Sequence, residues 1–118
     1  IDSQDALIGN KAYDLASLID DVRLRTSKLF KNRIYNFFVK KQKKIDKFKF
    51  KNDFDILSVL RNLKIIGIFT RVAVRDNKKK YLKLIPYSWE LINMRIHENE
   101  IFKDLKNLLI RNFKKNVK

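Results

Sequence analysis

The chain has 118 residues, with 28 Lys or Arg against 13 Asp or Glu, one His, no Cys, two Gly and one Pro, for a formal net charge of +15. That length is the size of one domain, and 45% hydrophobic with 12% aromatic residues supplies enough apolar surface to offset the ordering entropy, which excludes disorder of the whole chain. The lack of Cys excludes disulfide scaffolds, thiolate zinc sites and cysteine nucleophiles, and it suits a reducing cytoplasm.

In chain order, the first ten residues resist a helical reading, and Gly9 is the permissive residue within them. Ala12, Leu15, Ala16, Ile19 and Val22 then repeat at spacings of three and four, so a helix is expected over 11–25 with Asn10 as its cap. Ser27 caps a second helix whose apolar face is Phe30, Ile34, Phe37 and Phe38, running to about residue 44. A third starts at Asn52 or Asp53 and carries Phe54, Leu57, Leu60, Leu63, Ile66, Ile68, Phe69 and Val72. Its stretch 63–69 is apolar on several sides, as in a central, multiply contacted helix. Residues 76–80 are the clearest loop. Pro86 fits the first turn of a fourth helix bearing Trp89, Ile92 and Ile96 to about Glu98, and a last amphipathic helix spans 101–113.

The expectation is an all-α fold, five helices forming one helical domain over 1–118 after a short non-helical segment, 1–10. No uninterrupted apolar run approaches the roughly 18 residues needed to span a bilayer. The start has neither the basic n-region nor the apolar h-region of a signal peptide. It reads as internal to a longer protein.

The positive charge has a compositional explanation. The chain holds 20 Lys against 8 Arg, with 14 Ile and 11 Asn but only 4 Ala. Lys, Asn and Ile have A/T-rich codons, so a biased genome produces this skew without selection for binding. Phosphate readers favour Arg, whose planar fork binds bidentately. The most basic run, 40–51, interleaves Phe48 and Phe50 with lysines, an arrangement able to stack unpaired bases. The alternative is a solvated helix end with both rings anchored in the core. No Gly-rich or RNP-like sequence accompanies the run, so the core reading is preferred and a nucleic-acid partner is not expected.

Asp2, Asp5, Asp14, Asp20 and Asp21 fall within twenty residues at the start of a basic chain. A solvated face or local ion pairs with Arg23 and Arg25 account for Asp20 and Asp21. Asp2 and Asp5 lie outside any expected helix, where loop carboxylates bind Mg²⁺ or cap the loop. His97 stands at a helix end and reads as structural.

The order of these residues adds a resemblance. Ile1-Asp2-Ser3-Gln4-Asp5-Ala6-Leu7-Ile8-Gly9, followed by Ala12-Tyr13-Asp14-Leu15-Ala16-Ser17-Leu18, closely resembles the I-D-F-Q-D-A-x-x-G-x-x-A-Y-D-L-A-S-L segment of the aminoglycoside phosphotransferase and choline kinase-like superfamily. A second block, Arg61-Asn62-Leu63-Lys64-Ile65-Ile66-Gly67-Ile68-Phe69, then Arg71, Arg75-Asp76, Tyr81-Leu82 and Ile85-Pro86, is similar to the bacterial branch that includes the anomeric N-acetylmuramate and N-acetylglucosamine kinases of cell-wall recycling. The resemblance covers about residues 1–97.

The resemblance implies the helical C-terminal lobe of a protein-kinase-like fold and an ATP- and Mg²⁺-dependent transfer of phosphate to a small molecule, an amino sugar within this branch. Asp2 would be the carboxylate that binds Mg²⁺ on the ATP phosphates. Asp14 would steady the catalytic loop through backbone N–H groups, and Gln4 and Asp5 would line the substrate side of the metal loop. Arg61 and Asn62 would bind sugar or phosphate oxygens, with an ion pair inside the lobe as the structural alternative for Arg61. Two departures stand out. Ser3 replaces the family's Phe, and the H-G-D-x-x-x-x-N loop with its catalytic Asp is absent from these 118 residues. No catalytic residue is therefore expected in the chain, and by itself it is expected to be inactive. The other readings are an aminoglycoside or amino-alcohol kinase of the same superfamily, or a basic helical nucleic-acid-binding module.

Overall fold

The structure, a computed structural model, describes residues 3–117, with side chains from residue 11 onward. It contains five α-helices, α1 (Ser3–Ile19), α2 (Lys28–Lys41), α3 (Lys47–Arg75), α4 (Ile85–Glu98) and α5 (Lys103–Asn112). Two short 3₁₀ turns, Lys79–Leu84 and Glu100–Phe102, precede α4 and α5, and there is no strand among the described residues. The all-α expectation holds. No helix among the described residues is long and apolar enough to cross a membrane.

The chain divides into two compact units, Ile1–Ser58 and Val59–Lys118, with α3 contributing its opening turns to the first and the remainder to the second. In the first unit, residues 3–10 are helical, which corrects the expected non-helical reading of 1–10 over that stretch; residues 1 and 2 lie outside the described residues. The segment contains no Pro, Ala6 and Leu7 are good helix formers, and Asp5 falls in the first turn where the helix dipole favours an acid. A lone Gly9 costs about 1 kcal/mol in a helix, too little to break it. Asn10, expected as the cap, is consequently interior to α1, and the helix stops at Ile19 rather than near residue 25.

Ser27 caps α2 as expected, its hydroxyl accepting from the Phe30 N–H at 3.1 Å. The start of α3 at Lys47 lies five or six residues before the expected one at Asn52 or Asp53. Asp46 is the reason: its Oδ1 accepts from the N–H groups of Phe48 (3.0 Å) and Lys49 (3.1 Å), satisfying two donors that a helix start leaves without partners. The core of this unit joins Ala12, Leu15, Ala16 and Ile19 of α1 to Val39 of α2 and to Phe50 and Phe54 of α3. Tyr35 meets Phe54 edge-on at a centroid distance of 4.9 Å, and Phe38 stacks on Phe50 at 5.9 Å.

In the second unit α4 is the most buried helix, with seven of its 14 residues inside, Tyr87, Trp89, Leu91 and Ile92 among them. Pro86 sits in its first turn, where the missing N–H costs nothing. The expectation that 63–69 of α3 is the central stretch is corrected: Leu63 and Ile66 are only partly buried, Ile68 is exposed, and a Cβ built on Gly67 would meet nothing within 4 Å. Val59 of α3, Trp89, Ile92 and Ile96 of α4, Phe102 and Leu109 form the core, with Val117 closing it from the chain end. The loop at 76–78 turns through Asn77 at φ 54°, a left-handed conformation that Asn tolerates. Asn99 then accepts from the Ile101 N–H at 3.2 Å and sets up the turn into α5.

Candidate functional site

The best-defined polar constellation lies in the first unit and joins three helices. Asp20 follows α1, Lys31 lies on α2 and Ser58 on α3, and all three are at most 3% exposed. Lys31 Nζ donates to the Ile19 carbonyl at 2.6 Å and stands 3.6 Å from Asp20 Oδ1, while the Ser58 hydroxyl donates to Asp20 Oδ2. A buried carboxylate and ammonium are tolerable only when their charge and hydrogen-bonding capacity are met in this way. Being enclosed, the network ties the end of α1 and the first turn of α2 to the interior of α3. The reading of Asp20 as part of a solvated face is therefore corrected. Asp21 does match that reading: its two oxygens accept from Arg23 Nε and Nη2 at 3.1 and 3.0 Å, hydrogen bonds that hold the guanidinium above its ordinary pKa.

A sequence signal for the network exists. Asp20 stands four residues after buried Ala16, and Ser58 four after buried Phe54. Lys31 shares a helix stripe with Ile34 and Phe38, so each polar residue occupies a position the apolar pattern assigns to the core.

Of the residues singled out from the sequence, Asp2 lies outside the described residues. Gln4 and Asp5 lie in the first turn of α1, on a helix rather than a loop. Asp14 is exposed on α1, on the side away from Ala12, Leu15 and Ala16. Arg61 and Asn62 are consecutive on α3 in the second unit, while Gln4, Asp5 and Asp14 belong to the first. Asn62 is buried at 1% exposure. Arg61 is half-buried, and its Nη1 is buried with no hydrogen-bond partner among the described residues. Its own helix offers it no counter-charge, since no acid occurs between Asp55 and Asp76.

In the second unit a shallow groove of about 690 Å³ runs along α4, lined by Pro86, Trp89, Glu90, Met94, His97 and Lys115 among others. Asn93 Nδ2 donates to the carbonyls of Trp89 (3.0 Å) and Asn116 (2.7 Å), tying the chain end to the helix. His97 Nδ1 lies 2.7 Å from the Asn93 carbonyl one turn earlier, a local contact that fits the structural reading of this residue.

No group of three or more His, Asp or Glu among the described residues is placed to hold a metal ion. A zinc site of the usual His/Cys kind is excluded by one His and no Cys. Carboxylate oxygens are the donors the chain has, and they suit Mg²⁺, which takes one or two carboxylates and completes its shell with phosphates and water.

Curated relatives that align with the chain include three proteins each named N-acetylmuramate/N-acetylglucosamine kinase. The protein from Caulobacter vibrioides is 29% identical over 94 residues, covering 80% of this chain and 26% of its own length. That from Neisseria meningitidis serogroup B is 35% identical over 92 residues, covering 73% and 28%. That from Pseudomonas aeruginosa is 30% identical over 115 residues, covering 92% and 34%. The chain thus spans about a third or less of the length of these relatives, and the alignments establish a relation to kinases. No protein-family model and no solved structure matches the chain.

Proposed function

We propose that the chain is the helical C-terminal part of a cytoplasmic, ATP- and Mg²⁺-dependent kinase that phosphorylates amino sugars of the cell wall. The observation that carries this reading is the agreement of three relatives, aligned over 73 to 92% of the chain, on one amino-sugar kinase name. In this reading Asp2 holds the magnesium, and a bound magnesium ion neutralises charge on the ATP phosphates. Gln4 and Asp5 lie beside the acceptor, and exposed Asp14 offers its carboxylate to the backbone N–H groups of a catalytic loop. Arg61 binds acceptor or phosphate oxygens, with Asn62 beside it in the helix.

Arg61 gives the reading physical support. A buried guanidinium nitrogen without an acceptor is costly, and oxygens of a bound ligand would remove that cost. A structural role and a ligand contact predict different readouts for one substitution. In the longer enzyme proposed here, Arg61→Gln is expected to lower kcat/KM for the amino sugar by about 10–100-fold, the equivalent of a charge-assisted hydrogen bond, without lowering the melting temperature. A lower melting temperature with unchanged kcat/KM would assign Arg61 to the scaffold instead.

A further inference from the structure

The basic run of the first unit is not arranged as a solvated helix end with both aromatic rings in the core. Phe50 is 1% exposed and anchors α3, but Phe48 is 77% exposed. Eleven residues earlier, at the outer face of α2, Phe37 is 64% exposed. Along the sequence between and beside these rings, Lys40, Lys41, Lys43, Lys44, Lys47 and Lys49 are all exposed. None of the six pairs with a carboxylate among the described residues. The one acid in the segment, Asp46, is committed to the N–H groups that open α3. Lys41 Nζ lies 4.4 Å from the centre of the Phe37 ring, so a cation stands directly beside an exposed aromatic surface.

We propose that this surface, from the end of α2 through the connector 42–46 to the start of α3, binds single-stranded nucleic acid. Six ammonium groups without carboxylate partners among the described residues are complementary to a phosphate backbone, whose condensed counterions they displace. Two exposed rings supply stacking platforms for unpaired bases, a contact that every base accepts and that carries no sequence preference. The same elements fit an anionic bilayer less well. The rings stand singly on different helices among lysines, whereas an interfacial helix buries one continuous apolar face. A proline-free, lysine-rich connector between two helix ends also follows a flexible strand better than it reads a duplex groove, because it inserts no helix between base edges. The inference stands apart from the kinase reading and does not depend on it.

The test is fluorescence anisotropy of the 118-residue chain with an end-labelled oligothymidylate of about 12 nucleotides, within the usual site size of such surfaces. Binding is expected to weaken steeply between about 50 and 200 mM salt, and the Lys43→Gln/Lys44→Gln pair to flatten the log–log slope by about 0.7 per lysine. Phe37→Ala and Phe48→Ala are each expected to weaken binding about tenfold. Both side chains are largely exposed, so the circular dichroism of these variants should match that of the parent. Phe48→Trp should keep the affinity, and its emission should be quenched as bases stack. Alanine variants that bind as tightly as the parent would overturn the proposal. So would dextran sulfate, a polyanion without bases, competing as well as the oligonucleotide at equal charge. Binding to phosphatidylglycerol vesicles with none to the oligonucleotide would assign the surface to a membrane and likewise overturn it.

Discussion

Lys31→Met is expected to lower the free energy of unfolding by about 3–5 kcal/mol, the range found when one partner of a buried ion pair is removed. Methionine keeps the length of the apolar stem, so the change isolates the ammonium. What is lost is the charge 3.6 Å from Asp20 Oδ1 and the donor at 2.6 Å to the Ile19 carbonyl, both in a site from which water is excluded. A single domain has only about 5–15 kcal/mol of stability, so this one atom group is worth a large share. The melting temperature should fall on the order of 10 °C. Removing the second charge as well, in Lys31→Met/Asp20→Asn, should recover part of the loss, because an uncompensated buried carboxylate costs more than a buried amide. A Lys31→Met chain that melts with the parent would show that the pair contributes nothing to the fold.

The second large effect concerns activity. In the longer enzyme proposed above, Asp2→Asn would keep the size of the side chain and remove the charge proposed to attract a hard cation. Turnover at saturating ATP and magnesium should fall by more than the roughly 10–100-fold typical of residues that merely support a metal ligand. The KM for the acceptor should change little, since the contacts proposed for it lie at Gln4, Asp5 and Arg61. Near-normal turnover in the Asp2→Asn enzyme would remove the metal role from Asp2.

Much of the helical order was legible in the sequence because its determinants are local. Ser27 at the start of α2 and Pro86 in the first turn of α4 act through their own backbone neighbours, and both stand where the sequence placed them. The misses have two physical origins. At residues 3–10 the permissive Gly9 and the acid Asp5 suggest a loop, whereas a single Gly does not stop a helix that Ala6 and Leu7 favour. At the start of α3 the lysine run hid a cap, since Asp46 among lysines resembles a solvated charge until its two N–H partners are seen. Phe48 and Phe50 illustrate what periodicity leaves open: two positions apart on a helix they face nearly opposite ways, so only one of them reaches the core.

For the candidate site, what was legible is a relation to kinases. Its residue types and order carried a resemblance to one branch of kinases, and the relatives align over most of the chain. The physical state of each residue did not follow from that order. Arg61 is a half-buried guanidinium without a counter-charge on its helix because α3 has no acid for two turns on either side of it except Asp55, and Lys51 holds the Asp55 carboxylate at 2.8 Å. The Asp20–Lys31–Ser58 network required three helices to converge, which no local pattern states outright.

The most direct measurement is phosphorylation of N-acetylglucosamine and N-acetylmuramate by the protein encoded by the full reading frame that contains these 118 residues, followed by ³¹P NMR with ATP, with and without magnesium. Magnesium-dependent formation of an amino-sugar phosphate is expected from that protein and none from the 118-residue chain alone, which lacks the H-G-D-x-x-x-x-N loop. Transfer to aminoglycosides or amino alcohols in place of these sugars, no transfer at all, or turnover by the isolated chain would contradict that expectation.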